Sequence, residues 1–167
     1  SLPGTLPPSG AFYGVTYGAG TWVAIGSTGS QIYSGDGINW SLATTVPPGY
    51  VYAVTYDAAT ARFVAPGYYN WTQNGYYSTD GGVNWSTGGI LTGRNGVGSD
   101  ASGHLVSVGA DGTTSYSDNG GNDWIAGAVV VGWNLYDVAT DGTTWVACGG
   151  TNVATGGTMY SSDGGAN

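Results

Sequence analysis

The stretch Tyr77-Ser78-Thr79-Asp80-Gly81-Gly82-Val83-Asn84-Trp85 decides the fold, because the chain contains it, with variation, four times. The other copies occupy residues 33–40, 116–124 and 160–167, and each contains a Ser-x-Asp-Gly or Ser-x-Asn-Gly turn. The upstream half of the unit repeats as well, and its hydrophobic anchors follow one another at steps of 41, 42 and 40 residues: Trp22, Phe63, Leu105 and Trp145. A period near 40 residues indicates a repeat protein built by duplication of one supersecondary unit.

Each repeat is predicted to form four short strands. Its segments alternate apolar and small residues and are rich in Val, Tyr, Trp and Thr, which suits half-buried strands. The 33 glycines recur between these segments, where tight turns need residues that tolerate a positive φ. No window has a helical hydrophobic period with capping residues. We therefore predict an all-β protein that forms one array over residues 1–167, with repeat units approximately at 1–40, 41–85, 86–124 and 125–167.

The four turns resemble the Asp-box, or BNR, repeat of β-propellers, which is found in sialidases and in many secreted bacterial and phage surface proteins. The resemblance covers essentially the whole chain and implies a propeller of four antiparallel, four-stranded blades. It also implies that each box is a hairpin turn before the outermost strand, in which the Asp accepts hydrogen bonds from its own turn and the Trp packs between sheets. The residues with this structural role are Ser34, Asp36, Gly37, Trp40, Ser78, Asp80, Gly82, Trp85, Ser117, Asn119, Gly121, Trp124, Ser161, Asp163 and Gly165.

The two ends of the chain are predicted to share a blade. Residues 1–10 are similar to residues 41–49, which follow the first box. We therefore expect residues 1–6 to form the outermost strand of the last blade and to pair with residues 158–161 of the same chain or of a neighbouring one. Strand exchange would give a homo-oligomeric ring or a fibre. A monomeric four-bladed ring and a segment of a longer protein are the alternatives.

The composition excludes several partners. The net charge is −8, all ten acidic residues are Asp, and the only cationic side chains besides one His are Arg62 and Arg94. Such a surface repels nucleic acid and anionic lipid, and no apolar run approaches the roughly 20 residues of a membrane span. Polar neutral residues must therefore supply solubility, which favours an extracellular location or the surface of a cell or virion.

The residues argue against an enzyme. Sialidases use an arginine triad and a Tyr–Glu nucleophile pair, whereas this chain has two arginines and no Glu. Two aspartates could hydrolyse a glycoside, but Asp57, Asp100 and Asp141 recur at equivalent turn positions, as structural residues do. The spacing of His and Cys predicts no metal site, and no cofactor is expected. We expect His104 to be exposed to solvent and Cys148 to be buried as a small apolar residue.

Two segments depart from the repeat and are candidate ligand sites. The first contains Tyr68, Tyr69 and Trp71, and the second contains Trp133 and Asn134. Aromatic rings beside amides suit sugar rings, although packing between blades or against another subunit is the alternative. We predict a structural or adhesive propeller module, with a lectin-like propeller as the alternative and a glycoside-active enzyme as the third hypothesis.

Overall fold

The computed structural model describes residues 10–28, 30–100, 102–151 and 155–166, and these form four antiparallel sheets. The first sheet contains β1 (Phe12–Gly18), β2 (Thr21–Gly26), β3 (Ile32–Ser34) and β4 (Ser41–Leu42). The second contains β5 (Tyr50–Val51), β6 (Thr55–Asp57), β7 (Arg62–Tyr69), β8 (Thr72–Ser78) and β9 (Ser86–Ile90). The third contains β10 (Gly96–Ser99), β11 (Leu105–Val108), β12 (Thr114–Ser117) and β13 (Ile125–Ala126). The fourth contains β14 (Trp133–Thr140), β15 (Trp145–Thr151) and β16 (Gly156–Ser161).

The sheets follow the sequence repeat, because successive strands pair as neighbours, apart from β5 and β6, which both pair with β7. The described residues contain no α-helix and one 3₁₀ turn, Ala110–Gly112. In the first three sheets, the outermost strand follows the box, so each sheet extends beyond the tryptophan that ends the repeated stretch. Residues 1–6 lie outside the described residues, so their pairing with residues 158–161 stays a prediction.

Neighbouring sheets pack through the same two positions at three successive junctions. A buried valine on the second strand of one sheet shares an apolar cluster with the hydrophobic anchor of the next sheet. The three pairs are Val23 with Phe63, Val64 with Leu105, and Val106 with Trp145. The repeat therefore supplies both sides of every junction, and the core lies between sheets.

The fourth sheet has no described sheet on its far side, and this overturns one prediction. Ile25 and Val108 are 0% and 1% exposed, whereas Cys148, at the equivalent position of β15, is exposed. The expectation that Cys148 is buried is therefore wrong. The alternation along the second strand of the first sheet recurs in β15, but burial also requires a following sheet, which the described part of the chain does not provide here.

Candidate functional site

The box turns form hydrogen-bonded corners. In the second box, Asp80 Oδ1 accepts hydrogen bonds from Ser78 Oγ at 2.9 Å and from Asn84 N at 2.9 Å, and Asp80 Oδ2 accepts one from Asn84 Nδ2 at 2.8 Å. The indole N–H of Trp85 donates to Gly82 O at 3.1 Å. These bonds within the turn, together with the bond from Trp85 N to Thr45 Oγ1 at 2.9 Å, fix where the tryptophan enters the space between sheets.

The third box makes the same bonds with exchanged residues. Asn119 Oδ1 accepts from Ser117 Oγ at 3.0 Å and from Asp123 N at 2.9 Å, while Asn119 Nδ2 donates to Asp123 Oδ2 at 2.8 Å. The amide and the carboxylate have changed places relative to Asp80 and Asn84. The Asn at this position is therefore compensated four residues later.

The turn aspartates are held in their charged form. Hydrogen bonds from the backbone N–H groups of Asn39 and Ile38, and from the side chains of Asn39 and Ser34, lower the pKa of Asp36 far below its usual value. The N–H groups of Thr144 and Thr143 lower the pKa of Asp141 to about 2. A carboxylate bound in this way is a poor proton donor near neutral pH.

Asp57 also accepts hydrogen bonds from its own turn, and it is bonded to a neighbouring sheet as well. It is fully buried, and its Oδ1 accepts hydrogen bonds from Ala59 N at 3.2 Å and from Ser99 Oγ at 3.2 Å, while Thr60 Oγ1 donates to its Oδ2. The Ser99 bond joins the second sheet to the third. These contacts assign Asp57 to a turn and a sheet junction.

His104 is mostly buried, so the expectation that it faces solvent is wrong. Its side chain is 19% exposed and lies beside the rings of Tyr116 and Trp145, with Nε2 2.9 Å from Gly164 O. Burial opposes the charged imidazolium, but the bonds to Gly164 O and Asp118 outweigh it and raise the pKa of His104. In the first three sheets, the position before the anchor contacts the box of the next sheet, as Thr21, Arg62 and His104 show. Periodicity within one strand does not reveal this contact.

The candidate ligand residues of the second sheet lie together at the tip of the β7–β8 hairpin. The rings of Tyr68 and Trp71 meet edge to face at 6.3 Å, and the guanidinium of Arg94 lies 4.6 Å from the centre of the Tyr68 ring. Trp71 is 90% exposed and Tyr69 is half exposed. This tip is therefore an accessible aromatic surface.

The other candidate residues are engaged elsewhere. A Cβ atom built on Gly157 would lie 2.8 Å from the Trp133 ring, so this ring covers β16. The side-chain oxygen of Asn134 accepts a hydrogen bond from Asp111 N at 3.0 Å. These contacts place Trp133 against β16 and Asn134 beside the 3₁₀ turn.

The innermost strands reveal a site that the sequence analysis missed. Each sheet is irregular at one equivalent place, either by a register shift in the innermost strand or by a break before it. The residues at these places are Tyr13, Tyr52, Asn95 and Tyr136. They line a cleft of about 400 Å³ together with Asp137. Bulges are a known means of directing a side chain away from the regular pleat.

Aromatic side chains lie along the path from this inner cleft to the hairpin tip. Tyr13 stacks on Tyr52 with ring centres 5.4 Å apart, and Tyr52 stacks on Tyr50 at 6.3 Å. Tyr50 is the cross-strand partner of Tyr68, and such pairs place their side chains on one face of the sheet. We call the series Tyr13, Tyr52, Tyr50, Tyr68 and Trp71 the aromatic track.

A repeated signal in the sequence could have indicated the cleft. Its lining residues stand two positions before the valine of each innermost strand: Tyr13, Tyr52, Asn95 and Tyr136.

Among the residues that the structure describes, no group of three or more His, Cys, Asp or Glu side chains could hold a metal ion. No helix in the same part of the chain is long and apolar enough to cross a bilayer.

Solved structures similar to this chain indicate a propeller-like fold. No protein-family model matches the sequence, and the comparison with curated proteins finds no match. The chain is similar to the GH74 enzyme of Niastella koreensis, with 21% identity and a TM-score of 0.70 over 96% of this chain and 24% of that one. It is also similar to YCF48 bound to a D1 peptide, with 19% identity and a TM-score of 0.61 over 97% of this chain and 53% of that one.

A designed protein has nearly the same extent. The computationally designed Ika4 protein matches 96% of this chain with 97% of its own length, at 13% identity and a TM-score of 0.62. By contrast, this chain spans about a quarter of the GH74 enzyme, as the 24% coverage shows. At these identities, the likeness concerns the fold alone.

Proposed function

We propose that the chain is a non-catalytic propeller module of the Asp-box type that serves adhesion by binding carbohydrate. The observation that carries this proposal is the aromatic track, because stacked rings leave the inner cleft along Tyr13, Tyr52 and Tyr50. Tyr50 pairs across the sheet with Tyr68, whose ring contacts Trp71 at the exposed hairpin tip. Saccharides have apolar faces that stack on aromatic rings and hydroxyls that pair with amides, carboxylates and phenols. Asn95 and Asp137 supply such polar groups in a cleft whose volume suits a small ligand.

The surroundings of the carboxylates support binding without catalysis. Glycoside hydrolysis generally requires two carboxyl groups that flank the scissile bond. Asp137 is the carboxylate among the described residues that line the cleft, whereas Asp57, Asp80 and Asp141 are bonded within turns. The likeness to a GH74 enzyme covers 24% of that chain. It does not identify a second carboxyl group in the cleft of this chain.

A glycan array followed by calorimetry with a soluble oligosaccharide tests the proposal. We expect Tyr52→Ala to weaken binding about tenfold, roughly 1.4 kcal/mol, through loss of one stacking ring. Ile125→Ala is the control, because it removes an exposed side chain from the third sheet, outside the cleft lining. Trp71→Ala shows whether the bound ligand reaches the hairpin tip. Absence of any bound glycan, or equal binding by the Tyr52 and Ile125 variants, would refute the proposal.

A structural role in assembly is the second candidate. Apolar side chains are exposed on the outer faces of the first and fourth sheets, where other sheets would pack within the array. Strand exchange through residues 1–6 is one route to such assembly. An extracellular location, or the surface of a cell or virion, fits a surface whose polarity comes mainly from neutral residues and Asp.

A further inference from the structure

We propose that two copies of this chain close into one ring, with the first sheet of each copy packed on the fourth sheet of the other. This inference deepens the assembly role proposed above and rests on a different observation from carbohydrate binding, although Val15 of the first sheet also lines the inner cleft. Its basis is that the chain makes the same junction three times and leaves one half of that junction exposed at each end.

The fourth sheet exposes the half that normally receives the next sheet. Val23, Val64 and Val106 are at most 2% exposed because the following sheet covers them, whereas Val146 at the same position is 43% exposed. Tyr160 is 80% exposed, although its equivalents on the other third strands pack against apolar clusters: Tyr33, Tyr77 and Tyr116. Cys148 lies on this same face. We call Val146, Cys148 and Tyr160 the receiving face.

The first sheet exposes the complementary half. Val97 and Val138 are each 7% exposed and pack toward the preceding sheet, whereas Val15 at the same position is 60% exposed. Trp22 is 38% exposed, although the equivalent anchors of the other sheets are buried: Phe63, Leu105 and Trp145. We call Val15, Tyr17 and Trp22 the inserting face.

The internal junctions show how these faces fit. Val64 shares a cluster with Val97, and Val106 shares one with Val138. The same geometry would place Val15 of one copy against Val146 of the other. The named side chains of both faces are uncharged, which matters because each copy carries a net charge of −8 and long-range repulsion must be overcome by apolar contact.

The number of sheets favours a closed pair. The described sheets of two copies number eight, within the four to eight blades usual for propellers, whereas three copies would exceed that range. The four sheets of one copy also fall within the range, but Val15 and Val146 are then left exposed. A pair with two-fold symmetry makes both junctions at once, because each copy offers one receiving face and one inserting face. Closure removes the exposed apolar surface from both ends of the array.

Native mass spectrometry and light scattering over a dilution series test the closed pair. We expect a mass twice the 16.8 kDa of one chain, loss of the pair in Val15→Asp and in Val146→Asp, and recovery in the double variant Val15→Lys/Val146→Asp. Ile90→Asp is the matched control, because Ile90 is 70% exposed on the second sheet, away from both faces. Circular dichroism verifies that each variant is folded.

Cys148 provides a second readout. We expect a thiol reagent to react slowly with Cys148 in the pair and at least tenfold faster in Val146→Asp. A wild-type mass of one chain, a series of larger oligomers, or a pair that persists in Val146→Asp would overturn the proposal. Loss of the pair on deletion of residues 1–6, together with its persistence in Val146→Asp, would assign the joint to strand exchange instead. These outcomes are read from the mass of the assembly and the reactivity of Cys148, so they are separate from success or failure of glycan binding.

Discussion

The fit between a box glycine and the preceding sheet gives a quantitative prediction. Gly121 has φ +79°, and a Cβ atom added there would lie 2.6 Å from Val64 Cγ1. Gly121→Ala therefore introduces both backbone strain and overlap across the junction between the second and third sheets. Left-handed backbone costs an alanine about 1–2 kcal/mol, and overpacking of a core adds about 1–3 kcal/mol. We expect a loss of about 2–5 kcal/mol in the free energy of unfolding.

Gly142→Ala is the control, because it has the strain without the overlap. Gly142 has φ +95°, and no heavy atom lies within 4 Å of an added Cβ. We expect this variant to lose about 1–2 kcal/mol. The reduced entropy of the unfolded chain stabilises both alanine variants similarly, so the difference between them reports the overlap.

Urea denaturation followed by tryptophan fluorescence measures both variants. Shortening the partner in Gly121→Ala/Val64→Ala should relieve the overlap, so the two changes should cost less together than the sum of their separate effects. Equal losses for Gly121→Ala and Gly142→Ala, or strict additivity with Val64→Ala, would refute the role assigned to the glycine–valine contact.

Three further predictions concern the box, the histidine and the terminal segment. Asp80→Asn should lower the urea midpoint, because the side-chain amide N–H groups of residues 80 and 84 then face each other. Adding Asn84→Asp to this variant should restore the midpoint, because it recreates the arrangement of the third box. A double variant with the same loss as Asp80→Asn would contradict this prediction. Because the pKa of His104 is raised, the stabilisation from its positive charge is fully present below the ordinary pKa of 6.5 and is lost as the pH rises through the raised value. His104→Gln should therefore flatten this part of a profile of stability against pH. An unchanged profile would count against the contacts with Gly164 and Asp118. Deleting residues 1–6 should lower the melting temperature if they complete the fourth sheet, and an unchanged melting temperature and mass would refute their pairing with residues 158–161.

The repeat predicts the strands well, because strand alternation and turn glycines are local properties of the sequence. Positive φ values at Gly81, Gly82, Gly120 and Gly121 lie in the predicted turns. The burial of a strand residue is less predictable, because equivalent positions in different repeats have different neighbours. Cys148 repeats the pattern of Ile25 but has no described following sheet, so its burial could not be read from its own strand.

The residues that line the inner cleft could not be predicted from strand periodicity. Tyr13 and Tyr136 lie where the register shifts, and Tyr52 lies between β5 and β6. A period of two residues cannot indicate which way such a side chain points. The hairpin tip with Tyr68 and Trp71 was recognisable because it departs from the repeat, whereas the inner cleft uses positions that conform to it.

The junction between sheets has a consequence for the history of the chain. Each unit contains a valine that receives the unit after it and an anchor that enters the unit before it. An in-frame duplication of one repeat, at steps of 41, 42 or 40 residues, therefore adds a sheet that carries both halves of the junction. The number of units can therefore change in evolution while the contacts that join them stay the same. The curvature of the array then limits how many units selection can retain.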